Sequence, residues 1–354
     1  MLAVIAMSGG VDSSVAAALV ADELGAASAV GISLRLSSTP DTAERSGKSC
    51  CAPDDLYDAR RAAAALGIRF YVYDAQERFR AEVIDDFVRS YARGETPNPC
   101  VRCNDQVKFD WLLGRATRLG AGMLATGHYA RIRRRADGAF ELLRARDASK
   151  DQSYFLHGLT QDELALVRFP LGELTKAEVR ALARARRLPN ADKPESMEVC
   201  FVAGQPVAQF LEEHGVSAAQ GEIVDVAGRA LGEHGGVHRF TVGQRKGLGL
   251  SHRLPLYVAS LDAARQRVVV GTREEVQRSS FRAREASWTL SPPSPDEECE
   301  VQIRHRGKPL RARVSPDGRG VHVELLEPAV GVAPGQSAVF YRRDTVLGGA
   351  RIEA

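Results

Sequence analysis

Ser8-Gly9-Gly10-Val11-Asp12-Ser13-Ser14 is the stretch on which the reading of this chain turns. It follows a short apolar run, Leu2 to Met7, and precedes an alanine- and leucine-rich stretch, Ser14 to Leu24. Apolar run, tight polar loop and helical pattern, in that order, form the layout of a strand–turn–helix phosphate site. The two glycines let the backbone turn sharply and bring its amides near a ligand with no Cβ in the way. Ser8, Ser13 and Ser14 add hydroxyl donors, and the first amides of the helix point at any anion held there. Asp12 is out of place beside an anion unless it helps hold a metal ion that arrives with the phosphates. The Gly-Lys-Ser/Thr ending of a Walker loop is missing, and so is the Gly-x-Gly-x-x-Gly fingerprint of a dinucleotide site. A Ser/Gly turn that merely caps a helix is the plainer reading of the loop taken alone.

Outward from the loop, residues 1 to about 128 alternate between strand-like and helix-like segments. Ala27–Leu34 reads as a strand, Asp54–Leu66 as a helix stopped by Gly67, and Ile68–Tyr73 as a further strand. Helical patterns cover Gln76–Ala92 and Asp105–Leu119, the latter with Phe109, Leu112, Leu113 and Ala116 on one face. Met123–Thr126 reads as a buried strand. This order predicts an α/β fold with a doubly wound parallel sheet. Ligands of such sheets sit at the carboxyl ends of the strands, where the loop, Leu34 and Gly127-His128 all fall. Asp137-Gly138 between Arg131–Arg135 and Phe140–Leu143 signals a hairpin. Thr175-Lys-Ala-Glu178 is a capping box that opens a helix running to about Leu188. The pattern changes after roughly residue 205: short strands over Gly221–Leu231, a glycine-rich basic stretch over Gly235–Leu250, then alternating runs from about 280. Those runs are Val301–His305, Leu310–Val314, Val321–Leu326 and Ala338–Tyr341, and they predict a small antiparallel barrel.

A chain of 354 residues is long enough for two or three domains. Its 44% hydrophobic and 26% charged content are those of a globular protein. No apolar run approaches the ~18 residues that span a bilayer, and a phosphate loop starting at residue 8 leaves no room for a targeting peptide. The expectation is a cytoplasmic protein with no membrane partner. A net charge of +3 does not by itself indicate nucleic acid. Two basic clusters, Arg131 with Arg133, Arg134 and Arg135, and Arg304 with Arg306, Lys308, Arg311 and Arg313, read as solvated faces without other support.

The six cysteines are Cys50, Cys51, Cys100, Cys103, Cys200 and Cys299. With no secretion signal, catalytic, metal-binding and incidental roles remain open for them. Thr96-Pro-Asn-Pro-Cys100-Val-Arg-Cys103-Asn104 is a proline-stiffened loop that ends in Cys-x-x-Cys at a helix start, where Arg102 and the helix terminus favour a thiolate. The motif alone does not separate redox, zinc and iron–sulfur chemistry, and a second Cys-x-x-Cys for a zinc site is lacking. Cys200 is the natural third partner, although a lone cysteine before Phe201-Val202 also reads as a small buried hydrophobe.

The loop resembles the SGGxDSS loop of the ATP pyrophosphatase superfamily, which splits ATP between its α and β phosphates. Almost the whole chain resembles the tRNA-specific 2-thiouridylase family. The matching pieces are SGGVDSS, TPNPCVRCN, ATGHYAR (125–131), KDQSYFL (150–156), the Cys200-Phe segment, FTVGQRKGLGL (240–250) and PGQSAVFY (334–341). The resemblance implies an ATP pyrophosphatase domain over 1–204, a small central domain over 205–275 and a tRNA-contacting β-barrel over 276–354. It implies ATP with Mg as cofactors, the anticodon stem-loop of a tRNA as substrate, and a sulfur donor such as a cysteine desulfurase or sulfur carrier protein. ATP contacts are expected at Ala6, Met7, Ser8, Gly9, Gly10, Val11, Asp12, Ser13, Leu34 and Gly127, with Asp12 a candidate Mg ligand. The target base is expected against Asn98, Pro99 and Cys100. The tRNA is expected at His128, Lys150, Asp151, Gln152, Arg304, His305 and Gln336, and the two basic clusters become candidate backbone contacts. A thiol matching Cys200 carries the persulfide, one matching Cys103 is the nucleophile, and a Cys103–Cys200 disulfide remains after turnover.

One departure stands out: many members of the family have Asp where this chain has Cys100. Cys100, Cys103 and Cys200 are therefore also an alternative three-cysteine site for a 4Fe–4S cluster, with one iron open for sulfide. Cys50 and Cys51 take no role, and Cys299 reads as incidental. Two other readings compete. A different ATP pyrophosphatase acting on a small molecule explains the loop but not the thiols, and a non-catalytic RNA-binding iron–sulfur or zinc module explains the thiols but not the loop.

Overall fold

Small, apolar residues decide how closely the layers of the first unit pack. In the computed structural model this unit comprises residues 1–84, 100–204 and 344–346. The structure describes residues 1–36, 53–195, 199–202, 204–318 and 320–353, so Cys50 and Cys51 lie outside the described residues. The unit carries β1 (Leu2–Ala6), β2 (Ala29–Arg35), β3 (Arg69–Asp74), β4 (Ala121–Thr126), β5 (Arg131–Arg134), β6 (Phe140–Leu143) and β7 (Val167–Arg168). Five of these form a sheet in the order β3-β2-β1-β4-β7, with every pair parallel. The chain builds leftward from β1 through β2 to β3, then returns to the other side of β1 with β4. The switch point between β1 and β4 is where such a sheet opens a crevice at its carboxyl edge. Helices α1 (Val11–Leu24) and α2 (Pro53–Ala65) press Ala17, Ala59, Ala62 and Ala63 onto Ala3 and Ile5 in one core.

The doubly wound sheet expected from the alternation is present, and the expected apolar face of Phe109, Leu112, Leu113 and Ala116 is buried. Boundaries moved for identifiable reasons. The helix opened by the Thr175 capping box covers Lys176–Ala185 rather than reaching Leu188, because Arg187 adopts a left-handed φ of 52°. Helix continues through Gln76–Ala92, but Arg80–Ile84 is wound as a π-helix. The next helical run begins at Pro99 instead of Asp105 and includes a π-helix over Asn104–Leu112. Proline suits a first helical position because its missing N–H has no intrahelical partner there. β5 and β6 form the hairpin signalled by Asp137-Gly138.

The second unit comprises residues 85–99, 205–343 and 347–354. It contains β8 (Gly221–Asp225), β9 (Ala230–His234), β10 (Tyr257–Asp262) and β11 (Arg267–Gly271), in the order β10-β11-β8-β9 around Ile223, Phe240, Val258, Val268 and Val270. The barrel follows: β12 (Arg278–Trp288), β13 (Glu298–Gln302), β14 (Leu310–Pro316), β15 (Gly320–Ala329), β16 (Ser337–Arg342) and β17 (Thr345–Ile352). Its order is β12-β15-β14-β13-β16-β17, and antiparallel β12–β17 pairing closes the ring. Four of these strands match the expected runs. The two that close the ring were not read from the sequence, because Gly348 and Gly349 thin the apolar signal of β17 and charges alternate through β12. Among the described residues no helix is long and apolar enough to cross a membrane.

Gly9 marks the tightest point near the crevice. Its φ is +78°, and a Cβ there would lie 2.1 Å from the Asp55 carbonyl oxygen. Gly9→Ala is expected to cost about 1–3 kcal/mol, read as a lower urea midpoint for the first unit.

Candidate active site

Backbone geometry builds the anion site before any charge is considered. The Ser8–Ser14 loop leaves β1 and enters α1 with Gly10 at the N-cap, so the first amides of α1 point outward at the sheet edge. Ser13 Oγ accepts from the Ser8 amide at 3.1 Å and donates to the Gly10 carbonyl at 3.0 Å; Ser14 Oγ donates to the same carbonyl at 3.1 Å. Buried Asn190 clamps the loop from outside, its Nδ2 donating to the Gly9 carbonyl and to Ser14 Oγ at 2.9 Å each. Gly127, just past β4, lies so close that a Cβ would sit 2.7 Å from the Ser13 amide nitrogen. Three of the residues picked from sequence, Ser8, Ser13 and Gly127, are thus brought together at the β1/β4 switch point.

Asp12 is not left facing the loop alone. Lys176 Nζ donates to both of its carboxylate oxygens at 2.7 and 2.8 Å, and Tyr129 Oη donates to Oδ1 at 2.9 Å. Lys176 also meets Glu195 at 2.8 Å, and Lys150 Nζ donates to the other oxygen of Glu195 at 2.6 Å. Burial alone would raise the Glu195 carboxyl, but hydrogen bonds from Lys150 and Lys176 and their charges outweigh it and hold it at about 2. Burial, then the neighbouring Asp12 carboxylate, pushes the Tyr129 phenol up, so it stays a donor. Sequence reasoning assigned no site role to Lys176, Tyr129, Glu195 or Asn190. Tyr129 lies inside the ATGHYAR motif and Lys176 inside the capping box, but neither pattern says where the phenol or the ammonium goes.

The thiols sit in the same unit. Pro99–Cys103 forms a helical turn, with Cys100 exposed and Cys103 buried. Cys103 belongs to a cluster with Leu36, Ala75, Phe79, Val83 and Val107, and Leu34, Cys200 and Phe201 pack against it. Leu34, an expected ATP contact near the end of β2, therefore shares one cluster with both expected sulfur residues. Arg102 is partly neutralised, because its guanidinium reaches the Glu82 carboxylate at 3.4 Å and the Glu82 carbonyl at 3.3 Å. Asp105, two residues beyond Cys103, is pushed up to about 7, first by burial and then by Glu163, against the pull of Arg102. A partly neutral Asp105 repels a nearby thiolate less than a full carboxylate would. Among the described residues no three His, Cys, Asp or Glu side chains are grouped to hold a metal ion. Cys100 is exposed, while Cys103 lies in an apolar cluster against which Cys200 packs.

The residues expected at tRNA fall into distinct environments. His128 Nδ1 shares a 2.8 Å hydrogen bond with Thr126 Oγ1, and its ring packs against Phe109 and Phe169. Burial, then the charge of Lys108, holds it well below the usual imidazole range, so it is neutral. Gln152 Oε1 accepts from the Tyr129 amide at 2.9 Å. Asp151 accepts from the Ala145 amide at 2.9 Å, Ser153 Oγ at 2.9 Å and Arg144 at 3.3 Å. Arg131, Arg133 and Arg135 are paired with Glu173, Glu141 and Asp137.

In the second unit, Arg311 and Arg313 share Glu298. For Arg304, Arg306 and Lys308 no ion pair is found among the described residues. Buried Gln302 holds their loop, donating to the Arg304 and His305 carbonyls at 3.2 and 2.5 Å. Gln336 Nε2 donates to the Thr96 carbonyl at 2.7 Å, and Arg284 and Arg351 both reach Glu95. These bonds position the chain that leads into Asn98 and Pro99.

Comparison with known proteins covers the whole chain. A family model described as tRNA methyl transferase HUP domain matches residues 1–204. A tRNA methyl transferase PRC-barrel domain matches 208–272, and an aminomethyltransferase β-barrel domain matches 278–352. The tRNA-specific 2-thiouridylase MnmA of Geobacter metallireducens is 49% identical over 356 residues, covering 99% of this chain and 96% of that protein. The protein of the same name from Acidothermus cellulolyticus is also 49% identical, covering 99% of this chain and 97% of its own length. Solved structures are more distant: an NH3-dependent NAD synthetase from Campylobacter jejuni covers 53% of this chain and 65% of its own, at 18% identity and a TM-score of 0.34.

The depressed Glu195 carboxyl sets a pH signature. Its folded value of about 2 lies below the ordinary ~4.3 of a glutamate. Its contribution is complete above about pH 4.3 and is lost as pH falls toward about 2. Glu195→Gln is expected to flatten that part of the acid limb in unfolding measured against pH.

Proposed function

Because this chain belongs to the tRNA-specific 2-thiouridylase family, we propose that it adenylates the 2-carbonyl oxygen of the wobble uridine in a tRNA anticodon and replaces that oxygen with sulfur. The observation that carries the reading is the meeting of Cys103, Cys200 and Leu34 in one cluster of the unit that holds the phosphate loop. The family model's description names methyl transfer, whereas the curated relatives are named for thiolation. A phosphate-type loop at a strand–helix junction and two thiols in one cluster serve the second chemistry and have no place in the first.

The ring carbonyl oxygen is a poor leaving group. Attack of its lone pair on the α-phosphorus of ATP forms an O–P bond and breaks the bridge to the β-phosphate, and the electron pair leaves with pyrophosphate. The N3 proton passes to water. The oxygen is now part of AMP, which leaves readily. The terminal sulfur of a persulfide on Cys200 then attacks C2 and expels AMP. A Cys103 thiolate attacks the Cys200 sulfur, the S–S bond breaks toward the base, whose anion takes back a proton at N3 from water, and 2-thiouridine is released with a Cys103–Cys200 disulfide. A thiol reductant restores the pair, and a cysteine desulfurase or sulfur carrier protein reloads Cys200. Asp12 would hold a Mg2+ that accompanies the triphosphate, and the ion would supply charge neutralisation of the phosphates.

Amides of the Ser8–Ser13 loop, Ala6, Met7, Leu34 and Gly127 line the ATP site in this reading, and Asn98, Pro99 and Cys100 receive the flipped base, since a stacked base cannot be attacked in place. His128, Lys150, Gln152, Arg304 and His305 meet the tRNA, while Gln336 acts by holding Thr96. Support for Arg304 comes from its loop having no ion pair among the described residues, which leaves that charge for phosphates. The division into 1–204, 205–275 and 276–354 belongs to the same reading.

Incubation of the protein with unmodified tRNA, ATP and a sulfur donor is expected to yield 2-thiouridine on nucleoside analysis. Cys103→Ser and Cys200→Ser are each expected to abolish that product while tRNA-dependent pyrophosphate release persists. Full thiolation by either variant overturns the assigned roles.

A further inference from the structure

Walker-type loops end in their own lysine, but the Ser8–Ser14 loop carries no cation. Cleavage between the α and β phosphates builds negative charge on the departing pyrophosphate. A fixed cation at that position is a large electrostatic lever on such a step. The tertiary structure delivers one from a distant part of the chain. Lys176 Nζ lies 2.7 and 2.8 Å from the two oxygens of Asp12, in the first turn of α1, although 164 positions separate the residues.

The placement is built rather than incidental. Lys176 is the first residue of its helix, whose backbone is fixed by the Thr175–Glu178 capping box with both reciprocal bonds formed. Its side chain is 12% exposed, enough for contact with a ligand and little enough to restrict its swing. Glu195 holds the same ammonium at 2.8 Å and is itself shared with Lys150 at 2.6 Å. Two carboxylates thus hold one lysine beside a loop whose amides await an anion. Paired with Lys176, Asp12 adds no net charge beside the loop in the resting enzyme.

We propose that Lys176 is the missing cation of the loop, a catalytic residue that leaves Asp12 to hydrogen-bond the β- and γ-phosphates of ATP as pyrophosphate departs. The inference rests on the thiouridylase reading above. In the step, the uridine oxygen–phosphorus bond forms and the bridging phosphorus–oxygen bond breaks. Lys176 remains an ammonium throughout and only redirects its N–H groups from carboxylate to phosphate. Asp12 and Glu195 position it in the resting enzyme.

The test measures pyrophosphate release by the full chain with ATP and unmodified tRNA. Lys176→Gln, which keeps a donor but not the charge, is expected to lower kcat by about 100-fold with the KM for tRNA unchanged, and Lys176→Arg to recover part of the rate. Arg184→Ala removes an exposed ion pair from the same helix and reports structural weakening alone. Melting temperatures identify any variant that fails to fold. Should Lys176→Gln do so, Glu195→Gln decides: with one holder gone and Lys176 intact, the KM for ATP is expected to fall, and an unchanged KM overturns the proposal. A folded Lys176→Gln variant working at the wild-type rate also overturns it. Wild-type protein that releases no pyrophosphate with tRNA would instead sink the thiouridylase reading, so the two failures are distinguishable.

Discussion

Close backbone approach at the switch point between β1 and β4 is the constraint on which the rest depends. The loop between β1 and α1 is wedged against the Asp55 carbonyl on one side and against the turn after β4 on the other. Neither Gly9 nor Gly127 has room for a Cβ. Only with that room used by backbone can the amides at the start of α1 be held rigidly outward, and rigidity is what makes a row of amides a site rather than a mobile turn. Parallel pairing supplies the frame, since it forces the first turns of the connections onto one edge of the sheet.

Charge is then arranged around the loop by side chains from elsewhere in the same unit. Asp12, Lys176, Glu195 and Lys150 alternate in sign, with Tyr129 donating to the first of them. Such a chain costs little while its members satisfy one another, and a polyanion entering the crevice competes for the lysines. Apolar burial governs the sulfur end differently. Cys103 is enclosed by Phe79, Val83 and Val107, an environment that keeps its thiol from water and from stray oxidants. The second unit meets its own task by ion pairing: Glu95 collects Arg284 and Arg351, and Gln336 fixes Thr96, so the segment before Asn98 has a defined path.

Much of this was legible from residue order. Period and punctuation gave the strands beside Ser8–Ser14, the hairpin at Asp137-Gly138, the Thr175 cap and four strands of the barrel, because each is a local signal. The closing strands β12 and β17 were missed, since ring closure is a pairing between segments far apart and the glycines of β17 carry no apolar pattern. The π-helical turn after Cys103 was likewise hidden, as a one-residue change of period is masked by the packing of Val107 and Phe109.

The sequence by itself determined the chemistry on offer: an amide-lined loop at a strand–helix junction, a Cys-x-x-Cys at a helix start, and a later cysteine at the end of the first domain. Those depend on residues within a few positions of one another, and local sterics and hydrogen bonding settle them. Tertiary structure alone decided what stands beside what. It placed Lys176 on Asp12, gave Asp151 to the Ala145 amide, left Cys100 outside the cluster that takes Cys103 and Cys200, and gave Gln336 to Thr96. Such pairings follow from how sheets and helices stack, and side-chain contacts across tens or hundreds of positions leave no trace in the spacing of either partner.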